Sequence, residues 1–248
     1  MLYIYYFINK IILLFDITFS FNGRNIKYQN FESLSELVND HFQKIESIDH
    51  PCKESLELAL SLLENRDNLI IIETGSSAWG TNSTVLFDSY VVFKKRSGIN
   101  CIMHSCDLRI NPALNLLKKI SKNTYLHCSD SIPFLKEISK KYADKDFNFL
   151  IYFDSFDLNF DNPIPSGLHG FKEFLSIIPL LKKGTILLID DTPKDIMSCP
   201  QNVKESAQRF FEINGIYPGK GMYIDPIIMK YKNIKKIYHK YQLLYILV

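Results

Sequence analysis

Residues 67–248 predict an α/β domain with a doubly wound, mostly parallel sheet and helices on both faces. Three observations carry that prediction. Apolar, β-branched runs alternate with amphipathic stretches, the order that a parallel sheet with crossover helices requires. The first run, Leu69-Ile-Ile-Ile-Glu73, is apolar up to its acid, as a strand covered on both faces must be. A loop of small residues follows, Thr74-Gly75-Ser76-Ser77-Ala78-Trp79-Gly80. Such residues let a ligand approach the backbone at the carboxyl end of a strand.

Residues 1–66 are expected to form an N-terminal hairpin and helical extension packed on the core. Asn22-Gly23, between runs 17–21 and 24–28, is the signal of a two-residue hairpin. Helical spacing follows at 32–48 and at 51–65, where Leu56, Leu58, Leu60, Leu62 and Leu63 are crowded enough for a largely buried helix. The core opens with a strand at 69–73 and a helix near 83–95. A second strand, 101–106, leads to a helix starting near Pro112, where proline suits a first turn. The pattern then repeats with strand 124–127 and helix 131–142, and with strand 147–153, a polar loop and a helix near 168–179. A fifth strand, 185–189, ends in Asp190-Asp191. Beyond Pro193 a helix near 203–211 precedes late strands at 222–229 and 242–247. No repeat, linker or low-complexity stretch interrupts the chain, and 248 residues suit one sizeable domain.

Bulk properties narrow the function classes. A net charge of +2 with 23% charged residues marks neither a nucleic-acid surface nor an acidic tail. The basic run 230–240 reads as a solvated face. Five cysteines without metal-ligand spacing point to reduced, mostly buried thiols in a cytoplasmic protein. The apolar start, residues 1–21, lacks a basic leader region and a cleavage site, and Lys10 and Asp16 interrupt it. A soluble protein without a membrane or nucleic-acid partner is expected, with a homo-oligomer left open.

Acids fall just after successive strand ends: Glu73, Asp107, Asp130, Asp154 and the pair Asp190-Asp191. That edge is where open α/β sheets bind ligands. An acid at Glu73 suits a cationic or hydroxyl-bearing ligand better than a pyrophosphate. Asp107 lies 34 residues after Glu73, one crossover away, where a carboxylate can accept both hydroxyls of a ribose. Asp130 can accept from an adenine amino group. The alternative for each acid is a helix cap. Taken in order, they point to a nucleoside-containing cofactor.

These pieces resemble the class I S-adenosylmethionine-dependent methyltransferases from Leu69 to the C-terminus. The matching residues are Ile-Glu73-Thr-Gly75 with Gly80, Ser-Cys-Asp107, Cys-Ser-Asp130-Ser131, Phe-Asp154-Ser-Phe-Asp157 and Leu-Lys-Lys-Gly184 through Ile-Asp190-Asp191. The resemblance implies a seven-stranded Rossmann-like methyltransferase sheet. It also implies a cofactor site at Glu73, Gly75, Ser76, Ser77, Gly80 and Ser83, completed by Asp107, Asp130 and Ser131. Two departures stand out: Ser77 replaces the family's frequent second glycine, and Gly75 and Gly80 are further apart than usual.

Asp154 with Asp190-Asp191 is similar to the cation site of the catechol-type and macrocin-type O-methyltransferases, which implies bound magnesium. Three carboxylates near one point repel unless a cation neutralises them, and hard divalent ions prefer oxygen. Such an ion lowers the pKa of an acceptor hydroxyl. Asp157 stands where the catechol-type enzymes carry a lysine base, which argues for a sugar-type or otherwise different acceptor arrangement. Asp154 and His169 are the candidates for catalysis, a histidine there being suited to proton transfer. Trp79 is expected at the methionine end, at the acceptor pocket or packed on a neighbouring helix, and Gly219-Lys-Gly-Met222 is expected to form a turn near the acceptor entrance without P-loop spacing. The expected activity is therefore cation-assisted O-methylation of a small hydroxylated acceptor such as a sugar or glycosylated metabolite. The competing readings are a non-catalytic module on the same fold and a nicotinamide-dependent dehydrogenase, whose glycine fingerprint is missing.

Overall fold

Strand-forming runs and helix caps divide the chain much as their spacing suggests. The computed structural model describes residues 17–19, 28–76 and 80–248. The Asn22-Gly23 turn, Ser77 and Trp79 lie outside the described residues. Strand β1 is Ile17–Phe19. Helix α1, Leu34–Lys44, starts where the Ser33 side chain accepts from the Glu36 backbone N–H, and α2 is Lys53–Ser61. Then follow β2 (Leu69–Thr74), α3 (Ser83–Arg96), β3 (Cys101–Asp107), α4 (Ile110–Leu116), β4 (Thr124–Cys128) and α5 (Ser131–Tyr142). The remainder comprises β5 (Asn148–Phe153), α6 (Ile164–Ile177), β6 (Ile186–Ile189), α7 (Lys204–Asn214), the short α8 (Asp225–Ile228), β7 (Ile234–His239) and β8 (Leu243–Leu247).

All eight described strands form one sheet in the order β1-β4-β3-β2-β5-β6-β8-β7. The five strands from β4 to β6 are parallel, and β8, β7 and β1 run antiparallel to their neighbours. Seven strands make the expected α/β sheet; the eighth, β1, comes from the N-terminal extension and pairs with β4. The chain moves outward from β2 through β3 to β4 on one side and from β5 to β6 on the other. The reversal between β2 and β5 leaves a crevice at their carboxyl ends.

Each face of the sheet buries its own apolar cluster. On one face α1, α2 and α3 bring Val38, Phe42, Leu56, Leu60 and Phe87 onto Ile71, Tyr152 and Leu188. On the other, α5 and α6 bring Leu135, Ile138 and Ile177 onto Ile70, Ile72 and Ile151. All six residues of β2 are buried, which accounts for its apolar run from Leu69 to Ile72.

Two late elements differ from expectation. No strand occupies 222–229; a turn leads into α8, with Pro226 in its first turn, where a missing N–H costs nothing. The strand is β7, inside the basic run read as a solvated face. As an edge strand it alternates half-buried Ile234, Lys236 and Tyr238 with exposed Lys235 and Ile237, so lysines mask its period. Helix α6 also starts earlier than the 168–179 pattern, and α4 starts two residues before Pro112.

Candidate functional site

The crevice at the reversal is a cavity of about 680 Å3. Gly75, Ser76 and Gly80 border it after β2, Asp107 and Arg109 after β3, and Asp130 and Ser131 after β4. Asp154 to Asp157 follow β5, Asp190 and Asp191 follow β6, and His169 reaches in from α6. Register explains the clustering: Thr74 pairs with Phe153 and Phe153 with Ile189, so the residues just beyond, Asp154 and Asp190, emerge side by side.

Glu73 and Ser83 do not line this cavity. Glu73 is fully buried and accepts from Ser83 Oγ at 2.6 Å, Thr84 Oγ1 at 2.6 Å and Ser105 Oγ at 2.5 Å. Burial pushes its carboxyl up to about 7, against the pull of the three hydroxyls. The acid thus faces protein rather than ligand, and fastens the start of α3 and the middle of β3 to the end of β2. Ser76 joins the same network through Ser105 Oγ at 2.7 Å. Gly75 borders the cavity, but the close approach it permits is to another strand. With φ +83°, a Cβ there would lie 2.3 Å from the Asp154 carbonyl oxygen. Gly80, with φ +67°, faces open space.

Asp107 is nearly buried, and its Oδ1 accepts from the Arg109 backbone N–H at 2.7 Å and from its guanidinium at 3.2 Å. A carboxylate has about four acceptor positions, so Asp107 retains capacity for ligand hydroxyls. Asp130 is the N-cap of α5, accepting from Ile132 N at 2.8 Å. Capping and ligand binding use different lone pairs and coexist. Ser131 Oγ and Ser155 Oγ lie 2.9 and 3.0 Å from His169 Nε2, with Glu173 at 3.7 Å. Phe156 stacks on the imidazole with ring centroids 5.0 Å apart. His104 and His127 bond to each other under α5 and do not border the cavity, in keeping with a structural role.

One oxygen each from Asp154, Asp190 and Asp191 lies within 4.8 Å of the others, a grouping that suits a hard divalent ion. A lysine already stands among them. Lys220 Nζ, 2% exposed, donates to Asp154 Oδ1 at 2.8 Å and lies 3.0 Å from Asp191 Oδ2. With that ammonium in place the donors do not fit an added divalent ion, which it would repel. Burial, then the neighbouring Asp190, hold Asp154 well above the usual carboxylate range. Burial also opposes the charge on Asp190, but Lys220 and bonds from Asp154 and Gln242 outweigh it and keep that carboxyl low.

Several residues at this edge carry no sequence signal. His50 and Cys52 reach the cavity from the extension, where Cys52 Sγ lies 3.6 Å from Asp190 Oδ1. Tyr241 donates to Asp191 Oδ1 at 2.6 Å, and Gln242 Nε2 donates to Asp190 Oδ1. Lys220 belongs to the glycine-flanked turn read only as an entrance loop. Its flanking glycines were visible; their use to seat a lysine was not.

No protein-family model and no curated protein sequence matches the chain. Among solved structures it is similar to the MycE methyltransferase of the mycinamycin biosynthetic pathway, in complex with magnesium and S-adenosylhomocysteine. The TM-score is 0.51 and the identity 14%, covering 89% of this chain and 55% of that one. The chain thus spans about half the length of that structure. The CMeT domain of the citrinin polyketide synthase gives 0.46 at 14% identity, covering 86% of this chain and 56% of the other. The O-methyltransferase TomG from Streptomyces achromogenes, involved in tomaymycin synthesis and in complex with S-adenosylmethionine, gives 0.41 at 12%, covering 90% and 92%. The first likeness and the strand order together show a Rossmann-like α/β fold of the kind that methyltransferase has.

Proposed function

We propose that this chain is an S-adenosylmethionine-dependent O-methyltransferase that acts on a hydroxyl of a small acceptor, a sugar or glycosylated metabolite by our reading. The observation that carries it is the ordered row of Asp107, Asp130 and Asp154 around one cavity at the strand reversal. When bound, the cofactor supplies a sulfonium methyl group whose C–S bond breaks as the C–O bond to the acceptor forms. In this reading Asp107 accepts the ribose hydroxyls, and Asp130 and Ser131 meet the adenine. Gly75, Ser76 and Gly80, which border the cavity, are assigned to the methionine end, as Ser77 is from the sequence alone. Glu73 and Ser83 support that loop from behind.

His169, which borders the cavity, is assigned to the acceptor's proton, a role in which its Nε2 exchanges the Ser131 and Ser155 hydroxyls, at 2.9 and 3.0 Å, for that of the acceptor. In-line transfer depends chiefly on positioning, and Asp154, held by Lys220, is assigned to orienting the acceptor. The magnesium assistance expected from Asp154, Asp190 and Asp191 is left out of this step, because Lys220 already carries a positive charge to them.

Calorimetric titration with S-adenosylhomocysteine tests the reading. Asp107→Ala should weaken binding roughly 10- to 100-fold, the equivalent of one charge-assisted hydrogen bond of about 1.5–3 kcal/mol. Unchanged affinity would remove Asp107 from the site, and no binding by the natural chain would overturn the proposal. Transfer of a labelled methyl group to pooled hydroxylated metabolites then separates an enzyme from a binding module.

A further inference from the structure

We propose that Lys220 is a built-in cation. Its ammonium takes the place at Asp154, Asp190 and Asp191 that a divalent ion would otherwise fill, and the site works without a metal. The inference rests on the methyltransferase reading only for the use made of the charge; the occupancy follows from the packing.

Lys220 sits in a closely fitted seat. Lys220 arrives on a turn flanked by Gly219 and Gly221, which its own N–H fastens to the Asp191 carbonyl at 3.0 Å. A Cβ on Gly219 would stand 2.8 Å from the Asp191 oxygen and 2.9 Å from Thr192 Cα. One on Gly221 would stand 2.9 Å from Thr192 Cγ2. From the opposite side, a Cβ on Gly170 of α6 would come within 2.4 Å of the Lys220 carbonyl oxygen. Three glycines on two segments therefore press this turn against the end of β6, and that approach brings the lysine stem to the acids. A lysine at a loose surface turn would need none of them.

Most of the carboxylate oxygens are already engaged. Asp154 Oδ1 and Asp191 Oδ2 face the ammonium, Asp191 Oδ1 accepts from Tyr241, and Asp190 Oδ1 accepts from Gln242. Magnesium demands near-octahedral oxygen coordination at about 2.0–2.1 Å. Meeting that demand here means breaking several of these bonds and expelling a buried ammonium whose counter-charges are these same acids. Of the six carboxylate oxygens, four therefore already face protein donors.

The test is Mn2+ binding to the full chain, followed by electron paramagnetic resonance and calorimetry, with S-adenosylhomocysteine binding measured in parallel. The natural chain should show no Mn2+ site tighter than about millimolar. Lys220→Met should create one site at least about 100-fold tighter, and adding Asp190→Asn should abolish it. A micromolar Mn2+ site in the natural chain that Asp190→Asn removes would overturn the proposal. So would a folded Lys220→Met variant that gains no site. If Lys220→Met does not fold, the natural chain and Asp190→Asn alone decide the matter. Failure to bind S-adenosylhomocysteine would sink the methyltransferase reading and leave the Mn2+ result standing.

Discussion

Burial around Glu73 raises its carboxyl to about 7 from an ordinary 4.5. In the unfolded chain this acid loses its proton near 4.5, whereas the folded chain keeps it to about 7. Between those values the folded state binds more protons, so stability falls as pH rises through the window. The total loss expected is on the order of 3 kcal/mol, at 1.36 kcal/mol per unit. Glu73→Gln should flatten that slope in urea unfolding measured from pH 4.5 to 8; an unchanged slope would mean that other groups cause it. At this scale the sequence was only partly informative. Acids after strand ends can be read from spacing alone, and Asp107, Asp130, Asp154, Asp190 and Asp191 all border the cavity. Whether an acid turns to ligand or to protein depends on side chains from other strands and helices. Glu73 is claimed by Ser83, Thr84 and Ser105, and no motif records that. Lys220 is 66 residues from Asp154, and only packing brings them together.

Among the elements, the turn after β2 separates two uses of glycine. Gly75 abuts the backbone of Asp154, which cannot move without shifting β5, while Gly80 has nothing within 4 Å. Gly75→Ala should cost roughly 3–5 kcal/mol, strain and overpacking together, and should weaken cofactor binding by displacing the end of β5. Gly80→Ala meets only the left-handed penalty, about 1–2 kcal/mol. Chemical denaturation of the two variants compares them directly; equal losses would refute the assignment of Gly75 to strand packing. Strands β2, β5 and β6 were legible because each is buried on both faces and carries an apolar run. Strand β7 was not, since lysines interrupt its pattern, and 222–229 misled because its apolar residues serve a turn and α8.

On the scale of the molecule, the extension and the core share one interior. Leu34, Phe42, Leu56 and Leu60 lie in the same cluster as Ile71, Tyr152 and Leu188, and His50 and Cys52 border the cavity. Removing residues 1–66 would uncover one face of β2, β5 and β6. The expected outcome is a chain without a cooperative thermal transition. A truncated chain with a sharp transition near that of the full chain would show that residues 67–248 are self-sufficient. As a gentler probe, Leu60→Ala should cost about 2–5 kcal/mol, as cavity formation in a fully buried site does. The two-sided sheet and the helical character of the extension followed from periodicity. The pairing of β1 with β4 did not, because backbone partners so distant in sequence leave no periodic trace.

That pairing has a consequence for assembly. An open sheet ends in two rows of unpaired amides and carbonyls, which recruit any extended chain that drifts alongside. Here β1 runs antiparallel along β4, from Ile17 opposite Cys128 to Phe19 opposite Leu126. The other border, β7, is irregular between Lys236 and Tyr238 and carries exposed Lys235. Growth of the sheet by strand addition is thereby discouraged at both ends. Two copies of this chain that associate are expected to meet through helices or loops, in a contact set by side chains rather than by backbone pairing.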